Sequence, residues 1–151
     1  MLQLLLRTAL SLAALITAAI ATYVVAVVLN AQFVIAGHGV PVSFGDRLNM
    51  TAFDVSNMGL YLVIILVALL LGFVIAALVK KLLPVLARVA YPVGGAAAIA
   101  LTLGLMYVVF QTVPISGARS AMGFASQVLA GGIGGWVFAK AMGRFAASAK
   151  A

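Results

Sequence analysis

Apolar residues fall in four long runs, at 10–29, 59–79, 93–110 and 121–142, and the charged residues crowd into the stretches between and beyond them. Runs of about 18 to 22 residues match a helix rising about 1.5 Å per residue through a hydrocarbon core about 30 Å thick. The pattern predicts an all-α fold, an integral membrane four-transmembrane-helix bundle with spans at about 8–30, 57–80, 91–111 and 120–142, in a single transmembrane domain over 1–151. In the first run, apolar character continues through Tyr23 to Leu29. That exceeds the roughly 7 to 15 apolar residues of a signal-peptide core, so the reading is a retained span.

Composition narrows the class. Hydrophobic residues make up 66% of the chain and charged ones 7%, against about 25% charged in soluble domains. Mean hydropathy is +1.30. A water-soluble core is excluded, and lipid is the first expected partner. Cysteine is absent, which removes disulfides, thiolate catalysis and cysteine-held metal or iron–sulfur centres.

The cations set a direction across the membrane. Arg7, Lys80, Lys81, Arg88, Lys140, Arg144 and Lys150 would share one side, and Arg47 and Arg119 the other. The positive-inside rule then places both termini in the cytoplasm, and Ala-, Val-, Leu- and Gly-rich usage suggests a bacterial inner membrane. The net charge of +7 reads as attraction to anionic headgroups. It does not read as nucleic-acid binding, because the cations are split among short segments with no aromatic platform.

The outer loop at 31–56 holds the richest chemistry: the only histidine, His38, both carboxylates, Asp46 and Asp54, and Arg47. A loop of that length is expected to be partly structured. Ser43-Phe44-Gly45-Asp46 has the form of a helix N-cap with a carboxylate three residues on. Phe44, Leu48, Ala52 and Val55 follow at helical spacing, predicting a short amphipathic helix over about 44–53 that lies on the membrane or folds over the bundle. Asp54 or Ser56 would cap the second span. Asn49-Met50-Thr51 fits the N-glycosylation pattern, which matters only in a secretory pathway.

The other connections are shorter. Pro84 breaks the chain after Lys80-Lys81, a short interfacial helix is expected over 84–90, and Pro92 suits the first turn of span three. The segment 111–117 turns tightly, with Ser116 or Ser120 beginning span four, so spans three and four should be antiparallel neighbours.

Within span four, Gly131, Gly135, Ala139 and Gly143 recur every four residues. A small-residue face lets another helix approach closely in lipid, where apolar burial from water gives no drive. Gly94, Gly95 and Ala98 offer a partner within the chain, and a second subunit is the alternative. His38, Asp46, Asp54 and Arg119 form a possible outer polar site, although structural caps and an Asp54–Arg119 ion pair are the plainer reading.

No catalytic, metal or cofactor motif is present, so neither a metal nor a cofactor is called for. No ionisable residue falls at a predicted mid-membrane position, which weighs against ion-coupled transport. Three functions stay open. The leading one is a non-enzymatic subunit or accessory protein of a membrane complex or homo-oligomer, associating by helix packing. The others are a small oligomeric channel or transporter lined by Gly, Thr102 and Gln127, and a membrane enzyme or lipid-binding protein using the outer loop.

Overall fold

The computed structural model describes residues 1–39 and 41–148, with the backbone alone at residues 2 and 146–148. Five α-helices follow one another: α1 Leu2–Gly37, α2 Phe44–Asn57, α3 Gly59–Leu82, α4 Ala90–Phe110 and α5 Ala121–Ser148. Four of them, α1, α3, α4 and α5, are long and apolar enough to cross a membrane, and they pack together as a bundle. The molecule is an all-α integral membrane protein.

Helix ends follow local chemistry. α1 runs for 36 residues, well past the expected 8–30. Asn30 and Gln32 do not end it, because both side chains find partners on neighbouring elements. It stops only at Gly37-His38-Gly39, where Gly39 takes a positive φ of 64° that suits glycine. Hydropathy marked the part that crosses lipid; it carried no mark of where the helix ends.

α2 begins at the expected cap. The Ser43 hydroxyl accepts from Asp46 N–H at 3.2 Å and donates to Asp46 Oδ2 at 2.6 Å. The helix then continues to Asn57, four residues beyond the expected end. This overrun removes the proposed caps of α3, because Asp54 and Ser56 now lie inside α2. Ser56 Oγ donates to Ala52 O, and Met58 stands at the N-cap of α3 without a side-chain capping bond.

The basic connection holds one 3-10 turn, Pro84–Leu86, rather than a helix over 84–90. α4 starts at Ala90, with Pro92 in its first turn, where a missing N–H costs nothing. It ends on Gln111 in the left-handed region, φ 56°, with Gln111 Nε2 donating to Val108 O at 2.9 Å. A 3-10 turn at Ser116–Ala118 follows, and Ser120 caps α5 by accepting from Gly123 N–H at 3.0 Å.

Around the bundle, α4 lies between α3 and α5, and α5 lies between α4 and α1. α1 and α3 close the ring more loosely, and α3 and α5 face each other across a diagonal. Adjacent glycines on α4 explain its two neighbours. A Cβ on Gly94 would lie 2.9 Å from Ala76 Cβ and 3.1 Å from Gly72 O, both on α3. A Cβ on Gly95 would strike the Gly131 carbonyl on α5. One residue step turns a helix by about 100°, so two neighbouring small residues serve two different helices. The pairing of residue 95 with 131 and of 91 with 135 makes α4 and α5 antiparallel neighbours, as the tight turn predicts.

The two ends differ. Arg7, Lys80, Lys81, Arg88 and Arg144 are exposed at one end, here the basic end; the expected companion Lys150 lies outside the described residues. Phe73, Tyr91 and Phe138 cluster there, with Phe73 and Phe138 stacked at 4.4 Å between ring centres and Tyr91 edge-on to Phe138 at 4.9 Å. At the loop end, Gly117 N–H donates to Asn30 Oδ1 at 2.7 Å, which sets the α4–α5 turn level with Asn30. The rest of α1 rises about 10 Å beyond that turn.

Candidate functional site

The loop end gathers nearly all of the buried polar chemistry. Gln127 is 0% exposed in the middle of α1, α3 and α5. Its Oε1 accepts from Tyr61 OH at 2.9 Å, and its Nε2 donates to Ala26 O at 3.0 Å. A single amide therefore ties three helices together. Such bonds add where no water competes, and the amide has partners at both of its ends. Asn30 makes the next tie, holding α1 to the turn between α4 and α5. Tyr23 OH donates to Val55 O at 2.6 Å and fixes the end of α2 against α1.

Above these ties, α1 and α2 form a hairpin stitched by polar side chains. Arg47 Nη1 donates to Gln32 Oε1 at 3.1 Å, and Gln32 Nε2 donates to Thr51 Oγ1 at 3.2 Å. α2 thus meets α1 through Arg47, Thr51 and Val55. Of the expected apolar face, only Val55 packs on the core; Phe44, Leu48 and Ala52 are exposed. Phe44 is 77% exposed and Leu48 55%, and both belong to the end of α2 that starts beside the far tip of α1.

The four residues considered for an outer site do not bond one another. His38 Nδ1 lies 2.7 Å from Val34 O at the tip of α1, and Asp46 is engaged with Ser43. Arg119 Nε donates to Val113 O at 3.0 Å, within its own turn, and no ion pair joins it to Asp54. Among the described residues, no three His, Cys, Asp or Glu stand close enough to hold a metal ion. The polar lining suggested for a pore is also dispersed. Thr102 donates back to Ala98 O and faces a groove between α3 and α4, whereas Gln127 is sealed in the core.

The small-residue stripe of α5 divides in two. Gly131 and Gly135 lie against α4: a Cβ on Gly131 would come within 2.5 Å of Gly95 O, and one on Gly135 would strike the Tyr91 carbonyl. Ala139 is half-buried, and Gly143 is exposed with nothing within 4 Å of an added Cβ. The tightest part of the stripe therefore serves contacts inside the chain.

Comparison with family models, with curated proteins and with solved structures found no match.

Two contacts had little trace in the sequence. Tyr61 reads as an interfacial aromatic, and only its position two residues into α3, at the loop end where α5 also begins, hints that it meets Gln127. Gly134 sits beside the stripe rather than on it, yet a Cβ there would strike Thr22 Oγ1 on α1. Thr22 is 1% exposed, and its hydroxyl has no hydrogen-bond partner. A buried unpaired hydroxyl costs about 1 to 3 kcal/mol. Thr22→Val, which keeps the shape and drops the polar atom, should raise stability by about 1 kcal/mol in detergent unfolding; a loss of that size would mean the hydroxyl is paired in solution.

Proposed function

We propose that the protein is a non-enzymatic integral membrane subunit or accessory protein, which joins a larger membrane assembly through its α1–α2 hairpin. The observation that carries this reading is the apolar tip formed by Phe44 and Leu48. Both are exposed at the end of a hairpin that overtops the α4–α5 turn. The hairpin is built to hold its shape, because Gln32, Arg47 and Thr51 lock it from within. Preorganised surfaces lose less entropy on docking. The dispersal of His38, Asp46, Asp54 and Arg119 favours this role over a chemical one.

In this proposal the basic end faces the cytoplasm of a bacterial cell, with the hairpin on the opposite face of the inner membrane, in keeping with the positive-inside bias. The partner is another membrane protein or a second copy of this chain. A photoreactive benzophenone side chain placed at position 44 or 48 tests it in native membranes. Crosslinks to a protein of defined mass are expected at both positions, and none at the exposed Val74 of α3. Crosslinks to lipid alone at positions 44 and 48 would overturn the proposal.

A further inference from the structure

A cleft between α1 and α3 at the basic end points to a second kind of partner. α1 and α3 pack loosely, and between them a cavity of about 320 Å³ opens toward lipid past the exposed side chains of Leu12, Leu70 and Val74. That volume lies at the lower end of the range for small-molecule sites, about 300 to 1,000 Å³. The floor is the stacked group of Phe73, Tyr91 and Phe138, a firm apolar surface. Thr8 and Ser11 also line the cleft, but each hydroxyl donates to the carbonyl four residues earlier, at 3.0 and 2.9 Å. Their protons are already placed, so the cleft suits a hydrocarbon.

Charge gathers at its mouth. Lys80 Nζ lies 5.5 Å from the centre of the Tyr91 ring, and Tyr91 is part of the floor. On the opposite wall, Arg7 stands one helical turn before the cleft-lining Ser11, on the same side of α1. Among the described residues neither cation meets an acidic side chain, because the two acidic residues of the chain, Asp46 and Asp54, belong to the loop-end helix α2. An apolar slot with unneutralised cations at the headgroup end matches an amphiphile with an anionic head.

We propose that this cleft holds one acyl chain of an anionic phospholipid from the leaflet at the basic end, with the lipid phosphate at Lys80 and Arg7. The site is separate from the hairpin and does not depend on the subunit reading.

Native mass spectrometry of the detergent-purified full chain, titrated with phosphatidylglycerol or with phosphatidylcholine of the same acyl chains, tests the proposal. One phosphatidylglycerol should bind per chain more tightly than phosphatidylcholine. The double variant Arg7→Gln/Lys80→Gln should weaken phosphatidylglycerol binding about thirtyfold, the effect of two juxtamembrane cations, and leave phosphatidylcholine binding nearly unchanged. Ala77→Phe, which fills the cleft from an exposed position, should block both lipids. Equal affinity for the two lipids, or binding unaffected by these variants, overturns the proposal. So does a dimer that Ala77→Phe converts to monomer, because the cleft would then belong to a second copy.

Discussion

Gly135→Leu should abolish the native bundle, while Gly143→Leu, on the same small-residue stripe, should change stability by less than about 0.5 kcal/mol. The contrast follows from what each side chain would meet. At Gly135 even a Cβ strikes the Tyr91 carbonyl and comes within 2.7 Å of Pro92 Cα, which are backbone atoms of α4. Backbone cannot rotate aside as a side chain can, so α4 and α5 must separate along their closest contact. Overpacking of this kind costs about 1 to 3 kcal/mol even for modest insertions, and Gly135→Ala should fall in that range. At Gly143 nothing among the described residues lies within 4 Å of an added Cβ, so a side chain there has open space to enter. Unfolding by SDS from mild detergent, followed by circular dichroism, measures both. Equal tolerance of leucine at the two positions would show that α5 does not pack on α4 through Gly135.

The second large effect is expected at the buried amide. Gln127→Ala removes the bonds to Tyr61 and to Ala26, leaves the Tyr61 hydroxyl without a partner, and opens a void in a fully buried position. Two interhelical hydrogen bonds in a membrane protein contribute about 0.6 kcal/mol each on average, and a large-to-small core change adds about 2 kcal/mol or more. A loss of about 3 kcal/mol is the expected result. Tyr61→Phe alone should cost about 1 kcal/mol, and the double variant less than the sum, with a coupling near 1 kcal/mol. Strict additivity would mean the two side chains do not bond.

The lipid-crossing helices were legible because lipid imposes a long, uniform pattern that few sequences carry by accident. Ser43 was legible as a cap for a similar reason: the groups that satisfy it lie three residues away. Features that depend on distant residues were harder to read. α1 outran its apolar run because Asn30 and Gln32 are satisfied by Gly117, Arg47 and Thr51, none of which is local. The face that α2 turns to α1 was missed because a polar stitch, rather than the apolar spacing of Phe44, Leu48 and Ala52, chose it. The stripe at Gly131 and Gly135 was visible, and so was a partner at Gly94 and Gly95. Which of these two glycines meets α5 is set by rotation of α4, and a sequence does not print that angle.

The proposed subunit role is consistent with how little reactive chemistry the fold brings together. Gln127, Asn30 and Tyr61 bind helices to helices, and the glycines let backbones touch. What remains on the surface is lipid-facing hydrocarbon, the cationic rim of the basic end, and the apolar tip at Phe44 and Leu48.

The most direct test is the native mass of the protein extracted from its own membrane in a mild detergent. The account predicts a defined species heavier than the single 15.5 kDa chain, which the double variant Phe44→Glu/Leu48→Glu converts to the free chain without loss of helix content. A single-chain mass in every mild detergent, or a heavier species that this variant leaves intact, would contradict it.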